Sequence, residues 1–201
     1  GKGCFTGGTK VSLMDGRELS FRQLVEEYGD GRAFWVYSYD PKKGVVPGKA
    51  RYPRMTKRVD VVVEVVLDNG ETIRSTPDHL YLCSDGSYRE ARVLESGTSL
   101  LPLYRKECAF FRGYELFYNP LENKWHYTHQ WVSGGRSKRG WVVHHKDFNK
   151  KNNCPDNLEV LSKSEHSRVH LLANGVLTKK IQLAVLAAQK IRRDDPVRWA
   201  E

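Results

Sequence analysis

Cysteine is scarce in this chain and follows no pattern. Cys4, Cys83, Cys108 and Cys154 are scattered over 201 residues without a Cys-x-x-Cys pair. That spacing indicates neither a zinc knuckle nor a disulfide framework. Long hydrophobic runs are missing as well: no stretch approaches the roughly 20 apolar residues a membrane-spanning helix needs. No signal peptide is recognisable at the start. A cytoplasmic protein without a membrane partner is expected, in a reducing compartment that would keep Cys4 a thiol. Acidic residues are also the minority, 24 against 33 Lys and Arg, which leaves a net charge of +9. With 39% hydrophobic residues, the chain can form modest cores, either as two small domains or as one domain with an insertion.

The positive charge is unevenly distributed. From residue 134 to 201 there are 14 Lys and Arg against 7 Asp and Glu, a net +7, whereas the preceding 133 residues carry 19 against 17. An excess confined to one segment suits a phosphate-binding surface. The candidates for nucleic-acid contact are Lys146, Lys150, Lys151, Lys163, Arg168, Arg136, Lys138 and Arg139.

The same segment holds four of the seven histidines, His144, His145, His166 and His170. Trp141-Val142-Val143 reads as the end of a short strand carrying the histidine pair, and the Asn152-Asn153-Cys154-Pro155-Asp156 run reads as a loop. Leu158, Val160 and Leu161 form a second apolar run. Ser162 or Ser164 is a candidate N-cap, with Glu165 in the first turn of a helix that carries Val169, Leu171 and Leu172. Four residues apart, His166 and His170 share a helix face and can hold one ion. Neighbouring strand residues point to opposite faces, so His144 and His145 do not readily serve the same ion, and one is left for a second role. A hydrolytic site needs both a cation to neutralise phosphate charge and a base to take a proton from water.

These residues resemble the HNH nuclease family, the ββα-metal group of colicin-type nucleases and phage homing endonucleases. The matching positions are His144-His145, Asn157-Leu158, His166 and His170. The run from Gly113 to Pro120 and on through Trp125 to His129 looks like the approach to this motif in phage enzymes. The resemblance implies that His145 is the general base and that His144 and His166 are metal ligands. His170 would be a third ligand or a phosphate contact, and Asn157 would pin the loop and orient His145 through backbone hydrogen bonds. His126 and His129 are read as structural, with His129 within reach of the site. One divalent metal is implied. Mg²⁺ suits phosphate oxygens, and Zn²⁺, Mn²⁺ or Ni²⁺ are alternatives, since imidazoles favour the transition metals.

The amino-terminal half has a different character. Val59 to Leu67 is rich in β-branched residues and meets the turn Asp68-Asn69-Gly70, followed by Thr72-Ile73-Arg74-Ser75. A second turn, Asp85-Gly86, precedes Ala91-Arg92-Val93, read as a strand; only Leu19 to Glu27 looks helical. Lys42 to Lys57 reads as an exposed loop or long hairpin. Short strands punctuated by such turns predict an all-β domain.

Two blocks here resemble the Hint fold of inteins and hedgehog-type autoprocessing domains: Cys4-Phe5-x-x-Gly8-Thr9-x-Val11 and Thr76-x-x-His79. The chemistry is nucleophilic, since a thiol one residue past a peptide carbonyl can convert the amide into a thioester. The resemblance implies that Cys4 attacks the carbonyl of Gly3, that His79 protonates the scissile amide, and that Thr76 hydrogen-bonds that peptide with help from Asp78. Gly1-Lys2-Gly3 would be a remnant of a flanking host protein. Intein splicing ends at a terminal Asn after a His, and this sequence closes instead on Pro196-Val197-Arg198-Trp199-Ala200-Glu201. A truncated, split or degenerate element is therefore expected, able to form a thioester but unable to complete splicing alone.

The fold expected is α+β. An N-terminal all-β Hint-like domain (1–105) would be followed by a ββα-metal HNH nuclease domain (106–175) and a C-terminal helix (176–201) that contacts DNA or packs on a partner. The expected function is that of an intein-borne, phage-type homing endonuclease. Its partners would be double-stranded DNA and the host-protein (extein) segments or a missing C-terminal intein part. The alternatives are a stand-alone HNH nuclease whose β domain only binds DNA, and an inactive DNA-binding remnant.

Overall fold

The computed structural model describes residues 3–134 and 139–173. Gly1, Lys2, Arg136, Lys138 and the expected helix at 176–201 lie outside them. Among the described residues the chain is a succession of antiparallel hairpins with three α-helices. The first hairpin joins β1 (Lys10–Ser12) to β2 (Glu18–Ser20) and leads into α1 (Phe21–Tyr28). That helix starts where a capping box allows it. The Ser20 side chain accepts from the Gln23 amide at 3.3 Å, and the Gln23 side chain accepts from the Ser20 amide at 2.9 Å. Leu13, Leu24 and Phe34 form a buried cluster beneath it, joined by Val11, Leu19 and Phe21.

Three more hairpins follow: β3 (Phe34–Asp40) with β4 (Gly44–Ala50), β5 (Val63–Val66) with β6 (Thr72–Ser75), and β7 (Leu80–Leu82) with β8 (Tyr88–Glu90). The Asn69-Gly70 and Asp85-Gly86 turns stand where the sequence puts them, with Gly70 and Gly86 at φ +83° and +81°, a region glycine enters without steric cost. Two expectations need correcting. The strand expected from Val59 begins only at Val63. Ala91–Val93 is a 3₁₀ turn instead of a strand, because its amides are spent on the Thr76–His79 loop: Ala91 N–H bonds to His79 O at 2.8 Å and Arg92 N–H to Pro77 O at 3.1 Å.

Residues 105–132 form a three-stranded sheet, ordered β11 (Lys124–Tyr127), β10 (Glu115–Asn119), β9 (Arg105–Glu107), and the short helix α2 (Thr128–Val132). Fully buried Phe117 anchors the sheet against Trp131, with ring centroids 5.7 Å apart. The last unit pairs β12 (Trp141–His145) with β13 (Leu158–Ser162) and ends in α3 (Lys163–Ala173). Several bonds tie the amino-terminal hairpins to this second half. Arg105 donates to Ser12 Oγ (2.7 Å), Trp131 Nε1 to Val45 O (2.8 Å), Asn153 N to Met14 O (2.6 Å) and Trp35 Nε1 to Asp156 Oδ2 (2.9 Å).

Candidate active site

The β12–β13–α3 unit delivers its histidines from two directions. His144 and His145 are successive residues at the end of β12, opposite Glu159 and Leu158 of β13, and each is about 4% exposed. Alternation along the strand sends them to different faces. His144 faces α3, where its ring lies 5.3 Å from those of both His166 and His170. His145 faces the three-stranded sheet, 5.4 Å from the His129 ring and 6.0 Å from that of Tyr114. Helix α3 is placed by a second capping box: Ser162 Oγ accepts from the Glu165 amide at 3.3 Å, and the Glu165 carboxylate accepts from the Ser162 amide at 2.9 Å. One turn later His166 and His170 stand side by side, their Nε2 atoms 3.1 Å apart.

One ring nitrogen from each of His144, His166 and His170 falls in a group whose members all lie within 4.8 Å of one another. A tetrahedral ion with bonds of about 2.1 Å wants its ligand nitrogens about 3.4 Å apart. The triad therefore fits a single cation after a small contraction. Electrostatics favours the same outcome. Burial, reinforced by the neighbouring imidazoles, pushes the His144 pKa down to about 4. Burial followed by His170 lowers that of His166. Both rings are thus neutral at physiological pH with lone pairs available, the form a cation binds.

His145 is held differently. Its Nε2 lies 3.2 Å from Asn153 Oδ1, while the Asn153 amide group donates to Lys151 O at 3.3 Å. With the amide so oriented, Nε2 must carry the proton and Nδ1 keeps its lone pair. Burial lowers the His145 pKa, partly offset by the Asn153 bond and by Asp147. Asn153 is fully buried and bonded through its own backbone amide to Met14 O. Its role was hidden in a run that reads as generic turn residues.

Asn157 acts at one remove from the ring. Its side chain donates to Asp147 Oδ1 and Asn152 O, both at 2.9 Å, and accepts from the Asp147 amide at 3.2 Å. Its carbonyl accepts from the Lys146 amide at 2.9 Å. Asn157 therefore closes the 147–152 loop and fixes the backbone beside His145. Phe148, also unmarked in the sequence, takes φ +61° and packs its ring in T-shaped contact with those of His144 (5.2 Å) and His170 (5.1 Å).

The triad, His145, Phe148, Tyr114 and Lys150 line one open cavity of about 420 Å³. Lys150 reaches it across the Tyr114 ring, 4.7 Å from the centroid. The other expected cationic contacts are spread out. Lys146 donates to Asp156 O (2.8 Å), Lys151 lies 3.9 Å from Glu107, and Lys163, Arg168 and Arg139 are exposed. His126 Nε2 lies 3.0 Å from a Glu122 carboxylate oxygen without hydrogen-bonding geometry, and its ring packs against Phe117 (5.8 Å) and Trp131 (4.7 Å). His129 is buried beside His145, its Nδ1 without a hydrogen-bond partner among the described residues.

The amino-terminal candidates also come together. Cys4 N donates to Thr76 Oγ1 at 2.9 Å, and Thr76 N donates to Cys4 O at 2.8 Å. Gly3 is pressed against His79 so closely that a Cβ would stand 2.3 Å from the His79 Cα. Burial lowers the His79 pKa, and the Gly3 backbone and Asp78 pull it back up. Cys4 Sγ lies 3.0 Å from Thr56 Oγ1, and Lys57 reaches Asp78 at 3.6 Å. The four cysteines form no disulfide.

Convergent imidazoles on a strand pair and helix suit a single cation, and a further imidazole at the same cavity suits proton transfer. In agreement, residues 126–168 match the family model described as HNH endonuclease. The HNH part of the expectation is thereby carried by the β11-to-α3 region. The chain is also 40% identical over 181 residues to the B subunit of DNA gyrase from Synechocystis sp., a match that covers 84% of this chain and 17% of that protein. Among the described residues, no helix is long and apolar enough to cross a membrane.

Proposed function

We propose that this chain hydrolyses phosphodiester bonds of double-stranded DNA at the β12–β13–α3 cavity. The observation that carries this reading is the division of two adjacent histidines. His144 converges with His166 and His170, whereas His145, locked by Asn153, opens on the same cavity. His144, His166 and His170 would hold a divalent cation, which supplies Lewis-acid stabilisation of phosphate charge when bound. His145 Nδ1 takes a proton from the attacking water. Asn153 keeps the opposite nitrogen protonated, so the ring neither flips nor changes tautomer. Asn157 holds the loop on which this depends, and Lys150 offers an ammonium to a phosphate oxygen. Purified protein with Mg²⁺ should nick or linearise supercoiled plasmid, and His145→Ala should abolish this while leaving Zn²⁺ or Ni²⁺ binding intact. Unchanged cleavage by His145→Ala sinks the assignment.

A second activity is supported by a separate observation, the clamp of the Gly3–Cys4 peptide between Thr76 and His79. In this reading the Cys4 sulfur adds to the Gly3 carbonyl and gives up its proton, the C–N bond breaks to leave a thioester, and that proton, relayed through His79, ends on the amine released on Cys4. Thr76 holds the amide N–H out of conjugation as the bond twists. The likeness to part of a gyrase polypeptide supports a self-processing element embedded in a host protein, with an allele of the host gene as the nuclease's substrate. Incubation with a small thiol should release Gly1-Lys2-Gly3, seen as a mass loss. A Cys4→Ala control should not cleave. If the wild-type mass stays unchanged, the β region is left with a DNA-binding role only.

A further inference from the structure

We propose that the turn between β9 and β10 is a DNA wedge, with Phe110 entering a base-pair step next to the phosphodiester that is cut. The proposal rests on the nuclease reading and adds to it how the duplex is shaped and where cutting is favoured.

Phe110 is 93% exposed and Phe111 62% exposed, although a phenyl ring in water is unfavourable and a loose loop would fold it away. The turn does not permit that. Cys108 N–H bonds to Tyr114 O at 2.8 Å, Tyr114 N–H to Phe111 O at 3.3 Å, and Gly113 N–H to Glu107 Oε1 at 2.9 Å. Gly113 takes φ +87°, and buried Cys108 ties the base of the turn to the Tyr127 hydroxyl at 3.3 Å. The ring is thus held out on a rigid support.

Its location ties it to the cleavage site. Phe111 lines a cavity of about 240 Å³ together with Tyr114, His129 and His166, and Tyr114 and His166 also line the cavity of the histidine triad. Lys150, a triad-cavity residue, donates to Arg112 O at 3.3 Å. Cations stand beside the tip: Arg112 is two residues from Phe110, Lys150 donates to the Arg112 carbonyl, and the nearby Glu107 carboxylate is engaged by the Gly113 amide and lies 3.9 Å from Lys151. Two adjacent exposed phenyls beside cations suit stacked bases between two phosphate strands, whereas a protein-docking face would show a larger contiguous apolar patch. Having no hydrogen-bonding groups, Phe110 cannot read base edges. It selects instead for steps that unstack easily, such as pyrimidine–purine steps.

Relaxed plasmid treated with a type IB topoisomerase in EDTA, where the nuclease is idle, tests this directly. Bound wild-type protein should lower the linking number in proportion to occupancy. Phe110→Ala should bind plasmid with the same salt dependence and leave the linking number unchanged. Phe110→Trp should retain the shift. With Mg²⁺ restored, Phe110→Ala should cut supercoiled plasmid at least tenfold more slowly with an unchanged melting temperature. Wild-type binding without a linking-number shift overturns the wedge and leaves the nuclease standing; so does an equal shift by Phe110→Ala. If the wild type fails to bind plasmid at all, the nuclease reading falls and the wedge with it. Loss of self-association in Phe110→Ala with untwisting intact would reassign the turn to a protein contact.

Discussion

Two adjacent imidazoles in one strand face different worlds, and the neighbours of each ring explain how. His144, its basicity lowered first by burial and then by two neighbouring imidazoles, shares their direction. His145 meets an amide oxygen that dictates which nitrogen is protonated. The roles can therefore be separated by substitution. Asn153→Ala should leave the affinity for Ni²⁺, measured calorimetrically, within about twofold. It should lower plasmid cleavage by about ten- to a hundredfold, since part of the roughly 10²–10⁴-fold worth of a general base depends on its orientation. His166→Ala should show the reverse signature, losing metal affinity and cleavage together. Equal loss of metal affinity in both variants would contradict the division.

Elements position these residues through local rules, some of which the sequence displays openly. The Val142–His145 strand, the apolar run at Leu158–Leu161 and the Ser162 cap follow from alternation and capping chemistry, and all three stand as expected. The Asn69-Gly70 hairpin is equally plain. Asn153 is different, because its position depends on Met14 O, a partner far away in the chain that no local pattern announces. Likewise Val59–Val62 are β-branched at three of four positions yet outside any strand, since pairing partners, and not propensity, decide whether a segment joins a sheet. The cap gives a test at this scale. Ser162→Ala removes an acceptor from the first turn of α3 and should cost about 1 kcal/mol of stability, read as a lowered denaturation midpoint. Because His166 and His170 ride on that helix, saturating Zn²⁺ should recover most of the loss by binding only the folded state.

At the scale of the molecule, the amino-terminal hairpins and the nuclease unit are stitched together around buried imidazoles, which makes the fold sensitive to acid. His129 and His144 are both almost fully buried, and desolvation holds each near a pKa of about 4 against an ordinary 6.5. For His129 the charge of His145 adds to the effect, and for His144 those of His166 and His170 do. Between these two values the unfolded chain binds protons that the folded chain refuses. Stability must therefore rise with pH through this window and be lost as pH falls from about 6.5 toward 4. Each group contributes a slope of up to about 1.4 kcal/mol per pH unit. Urea titrations in EDTA at about pH 5 and pH 7 should show a lower midpoint at the acidic value. His129→Gln, which cannot take up a proton, should remove about half of the difference. A pH-independent midpoint would mean that both imidazoles are solvated in solution. Cation binding follows the folded-state value of about 4 instead, because a proton and a metal compete for the His144 lone pair in the folded protein. Zn²⁺ affinity should fall most steeply as the pH approaches about 4, where a proton takes the His144 lone pair. Toward pH 4 the protein should therefore lose both its ion and part of its fold.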